Sequence, residues 1–299
     1  MSLVIVGSVA FDTIETPFGR RERIVGGSGT YCSLAASYFT RPRVVGVVGR
    51  DFPKKAIAFL KTRGIDLRGL KVTAGKTFHW EGRYEKDPNI RTTVRTDLNV
   101  FEDFRPKVPA AYAQSGIVYL ANIDPDGHDF ILRQFRKPGV VAMDTIRFWI
   151  ETKRDALIRE LRRIDIFFAN DEEARLLSGE LNLVAAGQAL VRYGPSLVVL
   201  KKGEHGALVF GRGFVFGVLA HPCAHVIDPT GAGDSFAGGF LGFLDRAGSL
   251  DRREVRRAAV YGSVLASFAI EDFGIDRFRT LDRAAIEGRF RDFKRLISF

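Results

Sequence analysis

The stretch Val226 to Leu244, VIDPTGAGDSFAGGFLGFL, constrains this 299-residue chain more than any other. Its first half sets Gly231, Ala232 and Gly233 between two acids, Asp228 and Asp234. Its second half spaces Phe236, Phe240, Phe243 and Leu244 at three- and four-residue intervals, the period of an amphipathic helix. Ala237, Gly238 and Gly239 let that helix approach a neighbour closely, at some cost in helix propensity. A glycine turn that opens onto a helix leaves free backbone N–H groups at the helix N-terminus, and these form an anion site. A carboxylate beside a bound anion is repelled unless it takes up a proton. Asp234 therefore reads as a base that accepts a proton while charge develops on a phosphoryl group. A plain glycine-rich loop with an acid in the first helical turn is the alternative that the pattern leaves open.

The rest of the chain supplies a frame. From Ile117 onward strands and helices alternate, which predicts a parallel sheet with right-handed crossovers. The predicted strands are Ile117–Ala121, Val140–Met143, Ile166–Ala169 and Leu197–Leu200. The predicted helices cover about Gly127–Arg136, Lys153–Arg162, Asp171–Leu177 and Val184–Tyr193. Polar residues follow the strands (Asn122 and Asp124, Asp144, Asn170), where an open α/β sheet binds ligands. Near the start, Leu3 to Val6 is a buried strand, and Asp12 stands at its exit. Gly26-Gly27-Ser28-Gly29-Thr30-Tyr31 leads into a helix from Cys32 to Phe39, and its glycines permit positive φ or close backbone approach. Thr77 to Tyr84 alternates as a half-buried antiparallel strand, and Arg91 to Phe101 is a second β-rich stretch. The two read as a hairpin or small sheet standing off the main domain.

Composition narrows the class. Hydrophobic content of 46% suits one large α/β domain, residues 1–299. Two cysteines, Cys32 and Cys223, form no disulfide framework, and the opening apolar run has no basic leader, so a cytoplasmic protein with no membrane span is expected. The net charge of +10 comes from arginines scattered through helical patterns. No zinc-finger spacing, basic tail or aromatic-interleaved RNA motif accompanies it, so no nucleic-acid partner is expected. Gly69 to Thr77 misses the Walker A spacing by one residue. The metal-like pattern His221-Pro222-Cys223-Ala224-His225 lacks a fourth ligand nearby in sequence.

The segment DPTGAGDSFAGGF closely resembles the C-terminal signature of the ribokinase-like (PfkB) carbohydrate kinases, DTxGAGD followed by a helix, with Pro229 where Thr is usual. Gly26, Gly27 and Gly29 are similar to that family's GG-x-G-x-N signature, with Tyr31 in place of Asn. Asn170 and Glu173 match its N-x-x-E motif. Lys202-Gly203-Glu204-His205-Gly206 resembles its T-x-G-x-x-G turn, with Lys201 and Lys202 replacing the usual Thr-Leu. The resemblance implies a three-layer α/β sandwich with a central, mostly parallel sheet and a small β lid formed by about 12–25 and 76–101. It implies an ATP-dependent kinase acting on a hydroxyl of a small carbohydrate. Asp234 is then the base, and the Gly231, Ala232 and Gly233 amides form the anion hole. Asp12, Gly26, Gly27, Tyr31 and Asn122 contact the hydroxylated substrate. Asn170, Lys202, Gly203, Gly206, Asp228 and Thr230 serve the nucleotide, and Glu173 serves Mg²⁺. A homodimer through the lid also follows from the family pattern. Tyr31 offers a ring face where the family has an amide, which opens nucleoside and cyclitol acceptors. A non-catalytic sugar- or nucleotide-binding regulator is the reading from another class; the intact catalytic loop speaks against it.

Overall fold

Neighbouring residues of the first strand, β1 (Leu3–Gly7), enter opposite cores: Leu3 and Ile5 join one apolar cluster, Val4 and Val6 the other. A strand buried on both faces must be apolar throughout, and LVIVG is. The computed structural model describes residues 2–298. Two strands, β2 (Ala10–Thr16) and β3 (Gly19–Gly26), follow β1 but leave its sheet. Then come β4 (Arg43–Gly49), β5 (Asp66–Thr73), β6 (His79–Tyr84), β7 (Arg91–Asp97), β8 (Ile117–Ala121), β9 (Val140–Asp144), β10 (Ile166–Asn170) and β11 (Leu197–Lys201). A last hairpin is formed by β12 (Ala207–Gly211) and β13 (Phe214–Val218). The main sheet runs β13-β12-β11-β10-β9-β8-β1-β4-β5, parallel except at β12 and β13. The chain winds one way from β1 to β4 and the other way from β8 onward. The switch therefore lies between β1 and β8, where a ligand crevice opens beyond the strand ends.

Helices cover both faces. One layer holds α1 (Ser28–Ala36) and α2 (Lys54–Thr62) and buries Leu34 and Leu60 against the sheet. The other holds α3 (His128–Leu132), α4 (Arg147–Leu161), α5 (Asp171–Ser178) and α6 (Leu183–Arg192). Back on the first face lie α7 (Ala232–Ala247) and α8 (Arg252–Ala269). The phenylalanines of α7 are buried as their spacing predicts. Its small residues do what small residues permit: a methyl on Gly238 would lie 2.2 Å from the Cys32 carbonyl oxygen of α1. The architecture is the three-layer sandwich expected.

The second sheet, β3-β2-β6-β7, stands apart from the main one. It occupies the residues expected of the small β element, but β6 pairs parallel with β2 and antiparallel only with β7. Asp12 is not in a loop after β1; it sits within β2. The first helix begins at Ser28, earlier than Cys32, because Gly27 at φ 93° turns the chain directly into it. The expected helix over 127–136 shrinks to α3, behind a short 3₁₀ turn at Pro125–Gly127. That over 153–162 extends back to Arg147, with a non-helical break at Lys153, whose ammonium is held by Asp124 and Asp126 at 2.7 and 2.6 Å. Among the described residues no helix is long and apolar enough to cross a membrane.

Candidate active site

Strand ends and one helix end converge on the crevice. The turn before α7 is fixed from beneath by Asp228, which is fully buried. One of its oxygens accepts from Thr230 N–H and the other from Gly274 N–H, both at 2.8 Å. Asp228 thus holds the loop that leads into α7. Thr230 Oγ1 donates to Tyr84 Oη of β6 at 3.1 Å, tying this loop to the second sheet. Gly231 then turns through φ 75°, a left-handed conformation that favours glycine. A side chain is doubly excluded there, since a methyl would lie 2.4 Å from the Tyr31 ring.

The N-terminus of α7 has no side-chain cap. Ala232 N–H is engaged by the Pro229 carbonyl at 3.2 Å. The amides of Gly231, Gly233 and Asp234 find no partner among the described residues, so two of the three expected donors are free and that of Asp234 joins them. The Asp234 carboxyl keeps some solvent access, yet burial, followed by repulsion from Asp144, raises it to about 7. Lys201 and Arg91 oppose that rise. A carboxyl titrating near neutrality is matched to taking a proton from a hydroxyl at physiological pH.

On the β1 side, Asp12 is buried, and a methyl on Gly26 would lie 1.8 Å from its Oδ2, so only glycine lets the carboxylate rest there. Burial, then Asp228, raises Asp12 to about 7, while the Gly27 N–H works against this. Ser8 and Ser28 tie the Gly26-Gly27 turn to the ends of β1 and β8: Ser28 N–H donates to Ser8 Oγ at 3.0 Å, and Ser28 Oγ donates to the Ala121 carbonyl at 2.8 Å. Tyr31 departs from expectation. Its ring is 1% exposed and lies over Gly231, with its hydroxyl 3.5 Å from Asp12 Oδ2, so it presents no open face for stacking. Asn122, just past β8, adopts φ 52°, and its side-chain oxygen is buried without a hydrogen-bond partner. An unpartnered buried acceptor beside the sheet's switch point suits a ligand donor.

Toward β10 and β11, Asn170 caps α5 in a reciprocal box: its Oδ1 accepts from Glu173 N–H and its N–H donates to Glu173 Oε2, both at 2.7 Å. Burial, then Asp144, raises Glu173 to about 7. Its Oε1 is outside the capping box. Among the described residues no cluster of three acidic, histidine or cysteine side chains could cage an ion. This donor set suits an ion carried mainly by phosphate and water oxygens, as magnesium is. The Lys202–Gly206 turn closes by Lys202 N–H donating to the Gly206 carbonyl at 2.7 Å, with Gly203 and Gly206 at positive φ. A methyl on Gly203 would lie 2.3 Å from Asn89 Oδ1, so the β6–β7 tip rests on this turn. His221 to His225 form no strand, and Cys223 Sγ donates to the His225 carbonyl at 3.2 Å.

Sequence reading left Lys201 without a role. The structure places it at the centre: its ammonium is 2.5 Å from Asp144 Oδ2, and a methyl on Gly233 would lie 3.2 Å from its Nζ. The signal that could have found it was a lysine at a strand exit next to the glycine turn.

A doubly wound sheet, a glycine turn delivering free amides, and a carboxyl poised near neutrality beside them suit phosphoryl transfer to a hydroxyl. The pfkB family carbohydrate kinase model matches residues 2–279, and the chain belongs to that family; it is a kinase. A cytidine kinase of Thermococcus kodakarensis is 30% identical over 255 residues, 84% of this chain and 91% of the relative. A nucleoside kinase of Methanothermobacter thermautotrophicus is 27% identical, covering 91% of this chain and 90% of the relative. Among solved structures, a Vibrio cholerae fructokinase with fructose, ADP and calcium bound superposes with a TM-score of 0.81 at 20% identity, covering 97% of this chain and 99% of that one.

Proposed function

We propose that this kinase transfers the terminal phosphoryl of ATP to a ribosyl hydroxyl of a nucleoside. The observation that carries the acceptor class is the pattern of likeness. The cytidine kinase is matched over 91% of its length, whereas the fructokinase of Escherichia coli is matched over 34% of its length. Asp12 accepts hydrogen bonds from acceptor hydroxyls, and Asn122 Oδ1 takes another donor. Asp234 receives the proton of the attacking hydroxyl. The Gly233 and Asp234 amides, at the positive end of α7, stabilise charge on the phosphoryl oxygens, each well-placed donor being worth about 3 kcal/mol in comparable oxyanion holes. Glu173 Oε1 would hold Mg²⁺ through water or directly, and the ion would neutralise phosphate charge. The β2-β3-β6-β7 sheet acts as the lid, with Tyr84 and Asn89 as its contacts to the catalytic loop and the Gly203 turn. Closure excludes water that would otherwise hydrolyse ATP.

The test is turnover with ATP and Mg²⁺ across cytidine, uridine, adenosine, inosine, ribose and fructose. The proposal expects at least one nucleoside to exceed both sugars by 10²-fold or more in kcat/KM. A sugar turned over better than every nucleoside would refute the acceptor class.

A further inference from the structure

We propose that Lys201 is a fixed cation of the phosphoryl site, contacting the phosphate oxygens of the nucleotide directly while Asp144 holds it in place. The inference rests on the phosphotransfer reading of the site above, but on neither acceptor class.

Geometry carries it. Lys201 ends β11 and Asp144 ends β9, on either side of β10. Their contact is 2.5 Å, with side-chain exposures of 16% and 6%. An ammonium has three N–H donors, and among the described residues Asp144 is its hydrogen-bond partner, so two donors remain. They lie beside Gly233, whose own amide and that of Asp234 are also without partners. Unspent donors from two separate elements thus meet in one place, and the group that satisfies all of them is a multiply charged anion. Burial by itself would pull the ammonium toward neutrality. Attraction from Asp144, then Glu173 and Asp234, outweighs this and keeps it charged.

A purely structural pair is the competing account. Buried ion pairs stabilise a fold poorly compared with apolar replacements. Nor does a structural pair call for an ammonium with two idle donors against the mouth of a helix. In the reaction, the acceptor oxygen bonds to the γ-phosphorus while the bond from that phosphorus to the β,γ-bridging oxygen breaks. ADP leaves with that electron pair, the hydroxyl proton passes to Asp234, and Lys201 keeps its protons throughout.

The test uses Lys201→Met, Lys201→Arg and the double variant Asp144→Asn/Lys201→Met, each measured for thermal unfolding, turnover and nucleotide binding. Lys201→Met strands a buried carboxylate and is expected to unfold earlier. The double variant removes that charge and is expected to regain most of the lost melting temperature. It is not expected to regain turnover, which stays about 10²-fold down, the size seen when one oxyanion donor is lost. Lys201→Arg, which keeps the charge, is expected to retain more turnover than Lys201→Met. By titration calorimetry without acceptor, the preference for ATP over AMP is expected to shrink at least tenfold in the double variant. Recovery of turnover together with stability in the double variant would overturn the proposal, as would an unchanged ATP-to-AMP preference. Binding needs no acceptor, so this readout stands even where the nucleoside assignment fails. Wild-type protein that discriminates ATP from AMP but phosphorylates only a sugar sinks that assignment alone.

Discussion

Asp234→Asn separates what the site costs in stability from what it does in chemistry. Burial, followed by repulsion from Asp144, raises the Asp234 carboxyl from 3.8 to about 7. The folded chain thus holds this proton roughly a thousandfold more tightly than the unfolded chain, which is ~4 kcal/mol at ~1.4 kcal/mol per decade. The sign follows from which state binds the proton. A carboxyl whose folded value is raised costs nothing below 3.8, costs progressively more as pH rises toward about 7, and costs a constant amount above that. At pH 5 the cost has reached about 2 kcal/mol, and by pH 8 its full ~4 kcal/mol. Asparagine is nearly isosteric and cannot ionise. The variant's stability advantage over wild type is therefore expected to grow by about 2 kcal/mol between pH 5 and pH 8, or roughly 4 °C in Tm for a chain of this size. Urea denaturation of the ligand-free proteins across that range measures it. Parallel stability curves for the two proteins would rule this out, because they would mean that Asp234 ionises as easily folded as unfolded.

Three further substitutions probe the glycine turns and the acceptor side. Gly231→Ala imposes both a left-handed backbone and a methyl 2.4 Å from the Tyr31 ring, so it is expected to cost roughly 2–5 kcal/mol in denaturation. Gly248→Ala, at φ 69° with open space around it, pays only the backbone part and should cost about 1–2 kcal/mol. Asp12→Asn is expected to raise the acceptor KM at least tenfold and leave ATP affinity within about twofold, as read by steady-state kinetics and calorimetry; an equal loss in both would place Asp12 on the wrong side of the site.

The parts legible in the sequence were those written as local pattern. The α7 stripe of Phe236, Phe240 and Phe243, the apolar strands and the glycine turn each announce themselves within a few residues. The second sheet was legible as a place but not as a topology, because the parallel pairing of β2 with β6 joins residues more than sixty apart and leaves no local trace. The strands β5, β12 and β13 escaped for a different reason. They lie at the two ends of the sheet, and β5 and β13 carry mixed polar and exposed residues that blur the apolar signal. Tyr31 was identified as a departure, but its consequence depends on packing: the ring spends its area covering Gly231. Lys201 was visible as a substitution, and only the convergence of β9, β11 and α7 gives it a partner and a position.

If Asp234 is the base of this kinase, the pH dependence of kcat/KM for the best acceptor carries its titration. Asp234 and Asp12 both titrate at about 7 and both act ionised, so kcat/KM is expected to fall below pH 7 with a limiting slope steeper than one. Asp12→Asn should make that slope shallower, and Asp234→Asn should lower the plateau by at least 10²-fold. A profile flat from pH 5 to pH 8, or an Asp234→Asn protein that turns over at the wild-type rate, would contradict that role.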